Sequence, residues 1–306
     1  MQKRKSDARR VYLKSMGPYY LMLLPGIILI ILFRFWPLYG LTAAFKDYNL
    51  VKNLSECEWV GVKWFKLLFE SRDFLKILRN TMVINILELL FVFGGSIVLA
   101  VLINEISNTK YKKFVQTVSY IPHFLSWVVV GGLMVQLLAS TGIISRIVAL
   151  VTNTTPTNLL LKENYFWLIV SLGEMWKSVG WGTILFLAAM SGINQELYEA
   201  AKIDGASRIQ RILHITLPGI KYIVVLQMLM RIGNMMNVGF EKVFVLQNDL
   251  ILDTAEVFST YNYKAGIVQW RTSYSTALSV FESLVNFALV FIFDRIAKLL
   301  GEEGLL

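Results

Sequence analysis

The chain has 306 residues, of which 56% are hydrophobic, 13% aromatic and only 17% charged, with a mean hydropathy of +0.56. That balance excludes an ordinary soluble domain and describes a polytopic membrane protein. The net charge of +9 does not argue for nucleic acid, because a basic excess in such a chain belongs to its cytoplasmic loops.

Residues 1–18 carry six Lys or Arg against one Asp and read as an uncleaved cytoplasmic tail, since the apolar run that follows is too long for a signal peptide. The first transmembrane helix is expected at 19–41, with Pro25, Arg34 and Pro37 inside it. Residues 42–79 form an extracytoplasmic loop with room for one or two short surface helices. From 80 to 300 a five-helix core follows. Its spans are expected at about 80–103 with Glu88 inside, 114–139 softened by Ile121-Pro122 and Gly131-Gly132, and 165–190 with Glu174 and Lys177 three residues apart. The last two are expected at 221–246 and 274–300, the final one containing Glu282. The fold class is therefore an all-α membrane protein with six transmembrane helices. Fifteen Lys and Arg fall on the side of the tail and eleven on the other, so both termini are expected in the cytoplasm. Cys57 stands alone, which excludes an intrachain disulfide, and His123 and His214 have no second ligand at helical spacing, so no metal site is expected.

One polar stretch, residues 191–220, organises the rest. It reads Glu199-Ala200-Ala201-Lys202-Ile203-Asp204-Gly205, followed by Ile215-Thr216-Leu217-Pro218. Asn194 is placed to cap a helix whose apolar face holds Leu197, Ala200 and Ala201, continued after Gly205 by Ala206, Ile209, Ile212 and Leu213. A lone glycine there marks a bend or a close backbone approach, so a helix, a bend and a second helix ending near Pro218-Gly219 are expected.

This spacing resembles the Glu-Ala-Ala loop of the inner-membrane permease subunits of binding-protein-dependent ABC importers. Shorter matches spread the resemblance over most of the chain: Trp36-Pro37-Leu38-Tyr39-Gly40, Ala44-Phe45-Lys46-Asp47-Tyr48, Trp59-Val60-Gly61, Arg79-Asn80-Thr81 and Tyr120-Ile121-Pro122-His123-Phe124. They are similar to the subgroup that handles complex polysaccharides and multiple sugars. Asn53–Glu58 departs from the glycine-rich turn common before the tryptophan in that subgroup. The resemblance implies the type I importer permease fold in the cell membrane, with 191–220 as a cytoplasmic coupling helix. Glu199, Ala200, Ala201, Asp204, Gly205, Ile215, Leu217 and Pro218 would then contact an ATPase. It implies as partners a second permease subunit, an ATPase subunit dimer and an extracytoplasmic solute-binding protein, besides membrane lipid.

No Gly-Lys dipeptide occurs, so the chain has no P-loop and is not expected to be an enzyme or to bind a cofactor; ATP and magnesium belong to partner subunits. The competing classes are an ion-coupled secondary carrier, for which Glu88 and Glu282 are the relevant intramembrane carboxylates, and a permease for a non-sugar solute. For a sugar path the candidates are Asn234 and Asn237, whose amides both donate and accept, together with Glu174, Trp176, Trp181 and Phe240. A structural reading stands beside each: Glu174 and Lys177 neutralising one another across a turn, Glu241-Lys242 at the outer interface, and Arg34 paired with Glu88 or Glu282.

Overall fold

The computed structural model describes residues 2–49, 51–299, 301 and 304, with side chains from Met16 onward. The basic side chains expected to form a tail within 1–15 lie outside the described residues, as does residue 300, the expected end of the last span.

Helix α1 (Gln2–Ile30) passes through a π-helical turn, Ile31–Phe35, into a 3-10 stretch, Trp36–Phe45, with Pro37 in its first turn. From Met16 to Phe45 it is long and apolar enough to cross a bilayer, yet its apolar stretch buries nothing against the rest of the chain. Arg34 points outward and makes no ion pair among the described residues, so the expected pairing with Glu88 or Glu282 does not form. Only the end of the segment docks: Ala43 and Ala44 are buried. The carbonyl of Lys46 then accepts from Ser273 Oγ at 2.7 Å and from the Trp64 indole at 2.9 Å.

The short surface helix α2 (Lys63–Glu70) leads to α3 (Arg72–Asn104), capped by Ser71 and carrying a π-helical turn, Leu89–Gly94, directly after Glu88. Helices α4 (Thr109–Tyr120), α5 (Trp127–Leu138) and α6 (Ile143–Thr152) precede α7 (Glu163–Ser191). Then come α8 (Gln195–Ile203), α9 (Arg208–Gly219), α10 (Lys221–Ile232), α11 (Phe240–Leu246), α12 (Phe258–Tyr263) and α13 (Thr272–Leu299). Among the described residues no strand forms beyond one isolated bridge, Lys46 to Trp59.

Among the described residues three helices, Met16–Phe45, Arg72–Asn104 and Thr272–Leu299, are each long and apolar enough to span; two bent pairs would raise the number to five. Helix α7 has the length, 29 residues, but carries Glu174 and Lys177 inside. Two expected continuous spans are broken. Residues 114–139 bend by 96° between α4 and α5, because Pro122 closes the first helix in a 3-10 turn, Leu125 is extended, and Ser126 starts a new helix by accepting from Val129 N. Residues 221–246 end as a helix at Ile232. At 12 residues α10 is roughly 18 Å long, short of a hydrocarbon core of about 30 Å. Its C-terminal turns, through Asn234 and Asn237 to Gly239 at φ +80°, reset the chain direction before α11.

Helix α7 lies at the centre, against α3, α4, α10 and α11. Small residues permit that approach: a Cβ on Gly180 would strike the Ser119 carbonyl, and one on Gly182 would strike Ser96, whose hydroxyl donates to Val179 O at 3.0 Å. Three apolar clusters result. One surrounds Phe166, Val170 and Val243; a second surrounds Phe74, Phe258 and Tyr274; the third, around Ala100, Phe186, Met190 and Ile220, supports the α8–α9 loop.

Candidate functional site

The break between α10 and α11 opens a cavity of about 460 Å³ against α3 and α7. Asn234, Asn237, Glu174 and Phe240 all line it, so four of the six expected path residues meet at one place. Both asparagines are exposed to it because the helix has ended: Asn234 Nδ2 donates to Met230 O at 3.0 Å, and Asn237 Oδ1 accepts from Gly239 N at 2.9 Å. Each amide keeps hydrogen-bonding capacity toward the cavity.

Its floor is a buried ion cluster. Lys242 Nζ lies 2.5 Å from Glu88 Oε1 and 3.5 Å from Glu174 Oε2, while Ser178 Oγ donates to Glu174 at 2.5 Å. This corrects two expectations. Glu174 pairs with Lys242 rather than Lys177, whose ammonium instead donates to His123 O at 2.8 Å. Lys242 is buried, not at an interface. A lysine answered by two carboxylates from two other helices ties α11 to α3 and α7. Glu282 stays apart, with one carboxylate oxygen buried and no hydrogen-bond partner in the described structure.

The two tryptophans go elsewhere. Trp181 stacks on the His123 ring with centroids 4.5 Å apart and lines a neighbouring cavity. Trp176 faces a separate, almost wholly apolar cavity of about 600 Å³ between α5, α6 and α7, bordered by Leu133, Met134, Leu137 and Leu168. Gln136 and Tyr165 also line it, but a surface so largely apolar does not suit a sugar. Cavity-lining residues that the sequence did not put forward are Arg231 and Asn85; Glu88 and Lys242, expected as a carrier carboxylate and as part of an interfacial pair, line it as well. The spacing Arg231, Asn234, Asn237 along one helical face was the available signal for the first.

The α8–α9 loop forms as its local sequence dictates. Asn194 Oδ1 accepts from Glu196 N at 3.0 Å and caps α8. At the other end Gly205, φ +76°, closes a Schellman turn: its N–H donates to Lys202 O at 3.1 Å, and that of Ala206 to Ala201 O at 2.8 Å. Nothing lies within 4 Å of a Cβ built there, so the glycine serves the dihedral angle and not a close approach. Ser207 and Gln210 form a reciprocal capping box that starts α9. Tyr198 Oη meets the buried Thr216 Oγ1 at 2.9 Å and holds the two halves together. Glu199, Ala200, Asp204, Gly205 and Pro218 are exposed, Ala201, Ile215 and Leu217 half-buried, and Leu217 packs toward Ile220. Apolar Leu197, Ile203, Ile209 and Leu213 also stand exposed, leaving this end of the molecule with an uncovered face.

The shorter motifs are joints. Phe45 stacks on Trp59 at 5.5 Å, beside the Lys46–Trp59 bridge and Gly61 at φ +59°. Asn80 Nδ2 donates to the carbonyls of Asp253 at 3.0 Å and Glu256 at 2.9 Å, and Thr81 Oγ1 accepts from Phe258 N, pinning the segment before α12 to α3.

Known proteins are similar to this chain in sequence and in fold. Residues 93–302 match the family described as binding-protein-dependent transport system inner membrane component. Protein LplB of Bacillus subtilis (strain 168) is 41% identical over 287 residues, covering 94% of this chain and 90% of LplB. The polygalacturonan/rhamnogalacturonan transport system permease protein YteP of the same strain is 43% identical over 286 residues, covering 94% and 89%. Among solved structures, a bacterial ABC transporter involved in the import of the acidic polysaccharide alginate contains a chain with a TM-score of 0.86 and 35% identity, covering 94% of this chain and 98% of that one. The alginate transporter in complex with its alginate pentasaccharide-bound periplasmic protein gives 0.87 and 35%, covering 96% and 98%.

Proposed function

Because the chain belongs to the family of binding-protein-dependent transport system inner membrane components, we propose that it is the permease subunit of an ATP-driven importer for an oligosaccharide or polysaccharide fragment, working by alternating access. The observation that carries the reading is the α8–α9 loop: a capped helix, an αL glycine and a second capped helix, with Leu197, Ile203, Ile209 and Leu213 left uncovered beside Glu199 and Asp204. Such a face suits docking into a cleft on a separate ATPase subunit that binds ATP and magnesium, with this chain holding no cofactor. The other partners are a second permease subunit and an extracytoplasmic solute-binding protein, for which the alginate complex is a precedent. In this reading both termini and the loop lie in the cytoplasm, the side that the basic bias favours. Six crossings result if α4–α5 and α7 each count as one and the segment from α9 to α11 supplies another.

ATP binding draws the ATPases together and moves the loop; the tight turn at Gly205 and the Tyr198–Thr216 contact transmit that motion to α10 as a rigid lever. The cavity at the end of α10 then changes access. Asn234 and Asn237 hydrogen-bond sugar hydroxyls, and Phe240 offers a ring face to the apolar side of a pyranose. The purified complex in proteoliposomes, supplied with its solute-binding protein, tests this. Asn234→Leu with Asn237→Leu is expected to lower ATP-driven oligosaccharide uptake by tenfold or more with assembly intact; normal uptake by the double variant would remove the cavity from the path.

A further inference from the structure

Two cavities lie one behind the other along α3, α7 and α10, and Arg231 lines both. The upper one is that of Asn234 and Asn237. The lower one, about 470 Å³, is walled by Phe93, Trp181 and Gln227. Residue order sets their sequence: Phe93 follows Glu88 on α3, Trp181 follows Glu174 on α7, and Gln227 precedes Arg231 on α10, every step running toward the α8–α9 loop. At 1.5 Å per residue these steps displace the lower cavity by roughly 6–10 Å. Each volume falls within the range of small-molecule sites.

The two cations here are not equivalent. Lys242 is buried and committed to Glu88 and Glu174. The Arg231 side chain is half-buried and makes no hydrogen bond or salt bridge with any described residue, although three carboxylates, Glu88, Glu174 and Glu241, share the upper cavity with it. Charge at membrane depth normally takes a partner. A guanidinium has five donors in a planar fork that fits a carboxylate edge-on. Glu88 and Glu174 are turned to Lys242, with Ser178 also donating to Glu174, and they leave that fork open.

We infer that Arg231 is the specificity-determining residue of this path and that it takes the carboxylate of an acidic sugar unit as the chain passes from the upper cavity to the lower. The inference rests on the reading of the upper cavity as the substrate path. In the lower cavity Trp181, stacked on His123 but 45% exposed, offers ring surface to the departing unit, and Gln227 offers an amide. The lower cavity is then a second sugar site on the loop side of the ion cluster. The rival role for Arg231 is long-range balance of the second carboxylate beside Lys242, which would be indifferent to charge on the sugar.

The test uses the complete complex in proteoliposomes and two probes: an oligogalacturonide and the same oligosaccharide with its carboxyl groups methyl-esterified. Wild type is expected to import the acid over the ester by about tenfold or more, the scale of one charge-assisted hydrogen-bond pair. Arg231→Met should bring that ratio close to one with the ester still imported, and Arg231→Lys, which keeps charge but loses the fork, should fall between. Equal rates for the two probes in wild type, or an unchanged ratio in Arg231→Met, would overturn the assignment. Loss of both probes in Arg231→Met would also overturn it, in favour of the balancing role. Import of neither probe by wild type would instead sink the acidic-oligosaccharide path itself.

Discussion

Removing the cation from the buried ion cluster is the sharpest perturbation of this fold. Lys242→Met keeps most of the side-chain volume but leaves Glu88, 4% exposed at its side chain, and Glu174, at 15%, without the ammonium that lies 2.5 and 3.5 Å from them. Breaking a buried pair by deleting one partner costs about 3–5 kcal/mol, because the remaining charge stays desolvated. Glu174 retains the Ser178 hydroxyl, whereas the only hydrogen bond described for the Glu88 carboxylate is the one from Lys242. Most of the loss should therefore come from Glu88. Adding Glu88→Gln to Lys242→Met should recover on the order of 2 kcal/mol, since the amide carries no charge to desolvate. Thermal unfolding of the purified complex in detergent, followed by size-exclusion fluorescence, reads this as an apparent midpoint lowered by roughly 10 °C in the single variant and partly restored in the double. A single variant as stable as wild type would refute the reasoning, and so would a double variant less stable than the single one.

At the loop, Gly205→Asn should keep coupling because asparagine tolerates αL geometry, whereas Gly205→Leu incurs about 1–2 kcal/mol of backbone strain and should lose stimulated ATP hydrolysis and uptake while the chain still inserts. Full stimulated ATPase activity and transport by Gly205→Leu would show that this loop does not couple. For orientation, Lys112→Cys in a Cys57→Ser background should react with an impermeant maleimide only from the cytoplasmic side, and labelling from outside would invert the topology. Native Cys57 is itself a poor outside reporter: it is 7% exposed and its thiol donates to Asn53 O at 3.3 Å, so it should label fast only after denaturation.

What could be read along the chain was whatever short-range physics decides. Hydropathy alone places the protein in a bilayer, and the Asn194 cap and the stop near Pro218-Gly219 are local contacts within a few residues of the groups they serve. Gly205 shows the limit even there: a lone glycine announces either a close approach or a special dihedral, and only the backbone, φ +76° with open space around it, tells which. The apolar periodicity of 114–139 and 221–246 could not reveal that each is broken, because apolar composition is the same for one long helix and for two short ones meeting at an angle. Pro122 and Gly239 do not by themselves decide between a kink and a reversal; what packs against them does. The ion cluster was least accessible of all. Glu174 and Lys177, three residues apart, look like partners on a helix surface, but Lys242 reaches Glu88 across 154 residues of chain and draws Glu174 away. Which opposite charge a buried group meets is decided by how the helices pack, and sequence distance has no bearing on it.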